Sequence, residues 1–396
     1  MERMSRDTIA FLAQGRIFLA DGPGAPREVK SPFAEQVLER HRRIEQRHAW
    51  KSEGRGARFM RGGMAWELPE HETAVPVPIF TCVSAAPNAD RLLYGVEVAG
   101  VKGICQVRRD LGDEQRLVHG SERIPEDLAA QPGQAYIACT LPRKDGSTHI
   151  GVMDREGGGL RQLTDGDTRD MAPAWVPGEP SRLLFHSAGI ARDGNGFQAA
   201  LGPCQIQRLE IRSGELETLL EDPEYDFMAP RMDADGSLYC LRKPYRSRPT
   251  AAGFGRFLLD AALVPFRLLR ALFHALNFFS AKYTGKPLTT AGNARREGAD
   301  LKRIWLYGNL VDAEAAVKAS AARGEEAPSL VPRDWQLVRQ RPAQGVEVLA
   351  SGVAGFALGD DGRIVFTNGS ALFTRAEDGS TRRLLVHPGI QKVVLV

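Results

Sequence analysis

Cysteine is scarce in this 396-residue chain, with only Cys82, Cys105, Cys139, Cys204 and Cys240. Their number is odd, they are scattered, and no two have metal-ligand spacing. Neither a disulfide framework nor a zinc site is expected. Each stands in an apolar, strand-like setting, which fits buried free thiols in a reducing cytoplasm. Charge of one sign is missing too: 52 Lys and Arg against 49 Asp and Glu give a formal net charge of +3. That excludes a nucleic-acid-binding polycation, and no nucleic-acid partner is expected. Among the cations, 42 are arginine and 10 lysine, a bias that fits coding preference better than phosphate recognition.

Signatures of catalysis are also lacking. There is no Gly-x-Ser-x-Gly elbow and no glycine-rich phosphate loop at a strand-to-helix junction. His41 and His48, seven apart on a polar segment, are too few to hold a metal. His186 next to Ser187 reads as a surface or loop histidine, because neighbours on a strand face opposite ways. Asp165, Asp167, Asp170, Asp222, Asp226, Asp233 and Asp235 read as acids in loops before inner strands, binding turn amides. No catalytic, cofactor-binding or metal-binding residue is assigned, and no cofactor is expected. The N-terminus has only Thr8 to Ala13 as an apolar run, shorter than a secretory signal requires. That points to a cytoplasmic protein.

What the chain has is repetition. Six short apolar runs each follow a turn: Ile9–Phe11, Leu92–Tyr94, Tyr136–Ala138, Leu183–Phe185, Leu238–Cys240 and Ile364–Phe366. Their starts are 83, 44, 47, 55 and 126 residues apart. A propeller blade takes roughly 40–45 residues, so two gaps fit one blade and the others fit one blade plus an insertion. Five runs are followed by a hairpin, with Arg16–Leu19, Cys105–Val107, Ile150–Val152, Ile206–Arg208 and Leu372–Thr374 as the next strand. Glycine at the tips supplies the positive φ that tight turns need. In the interrupted fifth repeat that strand is either Ile304–Tyr307 or Trp335–Val338.

Candidate innermost strands precede five runs, at Phe80–Val83, Asp127–Ala129, Ala172–Trp175, Ala229–Met232 and Gly355–Leu358. The first repeat has none before it. Ile390–Val396 follows the last hairpin and is expected to pair with Thr8–Ala13, closing the ring and removing an exposed edge. The fold class is therefore all-β: one six-bladed β-propeller over residues 1–396, closed by its C-terminal strand, with helical insertions.

The residues from His149 to Phe185 carry a resemblance. Val152-Met-Asp154, Gly158-Gly159, Arg161–Thr164, Pro173–Trp175 and the pairs Asp235-Gly236 and Asp361-Gly362 resemble TolB-type propeller repeats, which are related to WD-repeat-like propellers. The likeness is specific in 149–186 and 226–240 and diffuse elsewhere. Val176-Pro-Gly-Glu-Pro180 stands where the family usually has Ser-Pro-Asp-Gly. The resemblance implies the propeller fold and leaves the activity open, since the family includes a periplasmic envelope component and propeller domains attached to some serine peptidases. A missing signal peptide argues against the periplasmic role.

The excess spacing locates three insertions. Residues 34–74 hold a polar helix from Ala34 to Trp50, with Val37, Leu38 and Ile44 as a thin apolar stripe, followed by Arg55, Arg58 and Arg61 in a solvated loop. Residues 309–334 read as an Ala-rich helix and a polar loop. The third, 246–300, contains an apolar amphipathic helix from Phe254 to Phe279. Phe257, Leu258, Ala262, Phe266, Leu269, Leu272, Phe273 and Leu276 fill its broad side. Asp260, Arg267, Arg270, His274 and Asn277 share a face of roughly 100°. Pro265 kinks or splits it, and its polar interior positions argue against spanning a bilayer. Arg246, Arg248, Arg256, Lys282 and Lys286 flank it. Such a helix either caps its own propeller or docks on an apolar partner groove or an anionic membrane surface.

The expectation is a non-enzymatic cytoplasmic scaffold, at times peripheral to a membrane. It docks through Phe257, Leu258, Phe266, Leu269, Phe273 and Leu276 with Arg256, Lys282 and Lys286. The alternative is a hydrolase- or lactonase-like enzyme working at the central channel, which would need acidic and histidine side chains from several blades to converge there.

Overall fold

The computed structural model describes residues 8–53, 76–246 and 302–396, apart from loop positions 23, 88–89, 122–123, 132, 134–135, 360 and 377. The chain divides into two units, Met1–Tyr245 with Leu301–Val396, and Arg246–Asp300. The strands and helices described below belong to the first.

Six four-stranded antiparallel units follow one another. Blade 1 is Ile390–Leu395, Ile9–Ala13, Arg16–Ala20 and Arg27–Glu28, from the inner strand outward. Blade 2 is Ile79–Ala85, Arg91–Val98, Val101–Arg108 and Gln115–Gly120. Blade 3 is Glu126–Ala130, Tyr136–Pro142, Thr148–Asp154 and Arg161–Gln162. Blade 4 is Thr168–Val176, Glu179–Arg192, Gln205–Glu210 and Leu216–Leu220. Blade 5 is Tyr225–Met232, Leu238–Pro244, Gln336–Gln340 and Val346–Ser351. Blade 6 is Gly355–Leu358, Ile364–Thr367, Ala371–Arg375 and Thr381–Val386. The C-terminal strand pairs antiparallel with Ile9–Ala13, joining the two ends of the chain in one sheet. The third strand of blade 5 is thereby Gln336–Gln340, while Arg303–Leu306 pairs with Asn309–Asp312 in a separate hairpin.

Burial explains why each second strand is an uninterrupted apolar run. Its alternate residues face two different neighbours. In blade 1, Ala10 and Leu12 join Phe80, Leu92 and Tyr94 of blade 2, while Ile9 and Phe11 join Val365 and Leu372 of blade 6. Leu93 of blade 2 packs with Ile137 and Cys139 of blade 3, and Ala138 of blade 3 with Leu183 and Phe185 of blade 4. Leu184 of blade 4 meets Leu238 and Cys240 of blade 5; Tyr239 and Leu241 of blade 5 meet Ile364 and Phe366 of blade 6. The six hydrophobic clusters are thus six blade-to-blade contacts that close in a circle. The described unit is a six-bladed β-propeller.

The turn at Val176–Glu179 departs from the family's sequence yet keeps its purpose. Pro177 and Gly178 connect two paired residues, with Gly178 at φ +74. Proline then glycine with positive φ suits a type II turn.

The insertions are partly built into the propeller. Helix α1, Pro32–Glu53, begins with Ser31 Oγ accepting from Ala34 N at 3.2 Å. Its Phe33 is buried against blade 2, where Val37 and Leu38 also pack. The Ala-rich helix expected in 309–334 is present, whereas the segment after it is not the polar loop expected. Helix α2, Ala313–Ala321, is capped by Asp312, which accepts from Ala315 N at 3.0 Å. Beyond it, Leu330 and Val331 are buried in the same core as Ile304, Leu306 and Val311 of the hairpin. This segment fills the wedge between blades 5 and 6.

Candidate functional site

The inner strands of blades 3, 4 and 5 are bent at matching positions. Asp127, Ala172 and Ala229 all take the left-handed conformation, with φ of 47°, 53° and 52°. The pairing register shifts beside each of them. A left-handed non-glycine residue costs roughly 1–2 kcal/mol, less for aspartate, so the surrounding sheet imposes the bend. Aligned on it, Arg231 occupies the position held by Ala129 in blade 3 and Ala174 in blade 4. A long cation stands where its repeats have a methyl group.

These irregularities deliver polar groups to the propeller axis. Lys392 on blade 1 lies 3.5 Å from the Asp127 carboxylate on blade 3, with side-chain exposures of 19% and 24%. Blades 1 and 3 are not neighbours, so the pair spans the inner strand of blade 2. From blade 5, Arg231 has its pKa lowered by burial, an effect that Tyr307 and Asp127 nearby oppose. Its guanidinium donates to the Pro230 carbonyl at 2.7 Å.

The hairpin Arg303–Leu306/Asn309–Asp312 adds the next group. Its turn, Tyr307-Gly308, has positive φ at both residues, 49° and 73°. This is the type I′ pattern, which favours asparagine or glycine rather than tyrosine at its first position. A Cβ on Gly308 would stand 2.5 Å from the Arg169 guanidinium, and one on Gly355 would stand 3.4 Å from Tyr307 Oη. The tip therefore sits among blades 4, 5 and 6. Asn309 Nδ2 fastens it by donating to Met228 Sδ at 3.3 Å and to the Tyr307 carbonyl at 3.0 Å. Burial pushes the Tyr307 phenol up to about 12, opposed by Arg231.

His186 corrects the sequence reading. It is 1% exposed, not a surface or loop residue. Its ring lies 6.4 Å from that of Tyr307, and Ala229 N donates to Nδ1 at 3.4 Å. Burial drives its pKa down to about 4; Asp127 opposes this and Arg169 adds to it. At neutral pH the imidazole is uncharged, accepting at Nδ1.

The loop acids divide. Asp222 and Asp235 accept from Glu224 N and Ser237 N, both at 2.7 Å, as turn acids do. Asp170 and Asp226 instead lie within inner strands. Asp170 accepts from Thr164 Oγ1 at 2.5 Å and Ser187 Oγ at 2.7 Å; Asp226 accepts from Cys204 N at 2.8 Å and pairs with Lys243. Asp233 and Asp235 follow the inner strand of blade 5 rather than precede it. Among the described residues, no group of three or more His, Cys, Asp or Glu is placed to hold a metal ion. Ser147 Oγ is 3.3 Å from His149 Nε2, but Ser147 is 2% exposed and donates to Asp145 at 2.7 Å. That contact holds a turn. The cysteines are all free, and Cys82, Cys105, Cys139 and Cys240 are buried. Burial raises all five thiols.

The residues assigned to docking, Phe257, Leu258, Phe266, Leu269, Phe273, Leu276, Arg256, Lys282 and Lys286, lie outside the described residues. The structure thus presents a different cluster from the one expected: Asp127, Arg169, Arg231 and Lys392 on inner strands, with Tyr307 of the hairpin tip and the buried His186 beside them.

No protein-family model matches the chain, and no curated protein matches it in sequence. Solved structures do. TolB from Acinetobacter baumannii aligns at a TM-score of 0.50 and 11% identity, covering 98% of this chain and 66% of that one. The fold is TolB-like. A chain of the nidogen/laminin complex aligns at 0.49 and 10% identity over 98% of both chains, and a putative TolB from Agrobacterium tumefaciens at 0.43 and 14% over 79% and 83%. This chain spans about two thirds of the Acinetobacter protein's length.

Proposed function

We propose that the protein is a non-enzymatic interaction platform of the cytoplasm that docks a protein partner or an anionic membrane surface through its 246–300 insertion. The observation that carries this reading is that, among the described residues, the ring closes on itself and each of its six blade-to-blade contacts has an apolar core, one of them shared with residues 304–335. The sequence of the insertion adds the apolar stripe Phe257, Phe266, Leu269 and Phe273 to a propeller that already has these cores. Apolar surface of that extent with basic flanks is what a membrane surface or partner groove recognises. The test is Phe266→Asp with Phe273→Asp, measured by co-sedimentation with phosphatidylserine-containing vesicles and by capture of bound protein. The reading expects binding to be lost while the unfolding midpoint stays put. Unfolding of the propeller by these substitutions would make the segment an internal cap instead.

The second reading, hydrolase- or lactonase-like chemistry at the channel, draws on the convergence of Asp127, His186 and Tyr307 from different parts of the ring. Against it, Asp127 is engaged by Lys392 and His186 Nδ1 already accepts a backbone proton. Turnover of ester or lactone substrates, abolished by His186→Gln, would establish this second reading.

A further inference from the structure

Charge balance on the axis leads beyond the docking reading and is independent of residues 246–300. Asp127 lies 3.5 Å from Lys392 and is the carboxylate that offsets Arg231. Among the described residues, Arg231 has one hydrogen bond, to its neighbour's carbonyl at 2.7 Å. Arg169, the second residue of the blade 4 inner strand, has its guanidinium where a Cβ on Gly308 of the hairpin tip would stand. His186 is neutral and contributes no charge. Lys392 and Arg231 thus share the Asp127 carboxylate, and Arg169 stands beside the hairpin tip that carries Tyr307, in a partly desolvated space where an uncompensated charge is costly. Fixed guanidiniums have the donor geometry for planar or tetrahedral oxyanions.

Two features show that this excess is built in. Arg231 replaces the alanine of its repeats at the bulge. Tyr307 is held in a conformation unfavourable to tyrosine, and such strain collects where a side chain has to be aimed. Its phenol is a hydrogen-bond donor at neutral pH. Lys392 and Asp127 keep about a fifth of their side-chain surface open, so solvent reaches the cluster.

We infer that the propeller channel binds a small oxyanion, a carboxylate or phosphate group, between Arg231, Arg169 and Lys392, with Tyr307 Oη donating to it. Asp127 competes with that ligand for the cations and holds them in place when it is absent.

The full chain is titrated calorimetrically with inorganic phosphate and, separately, with citrate, at fixed ionic strength in a chloride background. Saturable 1:1 binding of at least one probe is expected, the tighter one naming the group recognised. Arg231→Gln should weaken it tenfold or more. Asp127→Asn, which removes the competitor, should tighten it several-fold, a change that a purely structural role would not produce. Absence of saturable binding by both probes overturns the inference. So does binding left unchanged by Arg231→Gln in a protein with an unaltered unfolding midpoint, or weakened by Asp127→Asn.

Discussion

Lys392 and Asp127 meet at 3.5 Å although they stand on the first and third blades of the ring and far apart in the chain. The contact exists only because the C-terminal strand returns to the N-terminal blade. It ties the ring's closure to the arrangement of its channel.

Breaking this pair has a calculable direction. Asp127→Asn should leave Lys392 and Arg231 without their carboxylate and destabilise the fold by about 1–3 kcal/mol, since an unpartnered, partly buried charge costs more than its pair contributes. Adding Lys392→Met, which removes one of the two cations, should recover part of that loss. Chemical denaturation of both variants and the double variant checks it; strict additivity would show that the two residues act separately.

The closing strand itself should matter more. Truncation after Gly389 removes fully buried Ile390 and nearly buried Val393, along with the backbone pairing to Ile9–Ala13. At about 1.5–3 kcal/mol for each side chain, the loss is about 3–6 kcal/mol. A thermal melt of the truncated chain should show a sharply lower midpoint.

His186 gives stability a pH dependence. Its folded pKa of about 4 lies below the ordinary 6.5, so the unfolded chain takes up a proton that the folded one refuses. Stability should therefore fall as pH drops from 6.5 to 4, by up to about 3 kcal/mol. Above pH 6.5 this contribution is constant. In His186→Gln the slope over that interval should shrink by about one proton, read from denaturation curves at several pH values.

Phe33 of helix α1 packs against a glycine of blade 2. A Cβ at Gly103 would lie 2.5 Å from the Phe33 ring, which is 4% exposed. Gly103→Ala should cost about 1–3 kcal/mol by overpacking. Phe33→Leu in the same chain should relieve part of it, so a double-mutant cycle reads the contact directly.

Local pattern made the blades legible. Leu92–Tyr94, Leu183–Phe185 and Leu238–Cys240 announce strands buried on both faces, and the spacing between them counts the repeats. Ile390–Val396 could be paired because a propeller has one open edge to offer it. The third strand of blade 5 was not decidable, because Ile304–Tyr307 and Trp335–Val338 are both short apolar runs. Their difference is tertiary, since only Gln336–Gln340 lies alongside Leu238–Pro244. The channel cluster was hidden for the same reason. Asp127, His186, Arg231, Tyr307 and Lys392 share no motif, and ring closure alone brings them together. One signal was present. Ala172-Pro173 and Ala229-Pro230 repeat, and aligning them places Arg231 against Ala174, an arginine at a small-residue position.

The most direct test of the account replaces residues 246–300 with a short Gly/Ser linker between Tyr245 and Leu301. Vesicle co-sedimentation, partner capture and thermal unfolding are then measured on the same preparation. The account predicts an unfolding midpoint within a few degrees of the intact chain and a bound fraction reduced tenfold or more. A propeller that no longer folds, or one that binds as the intact chain does, would contradict it.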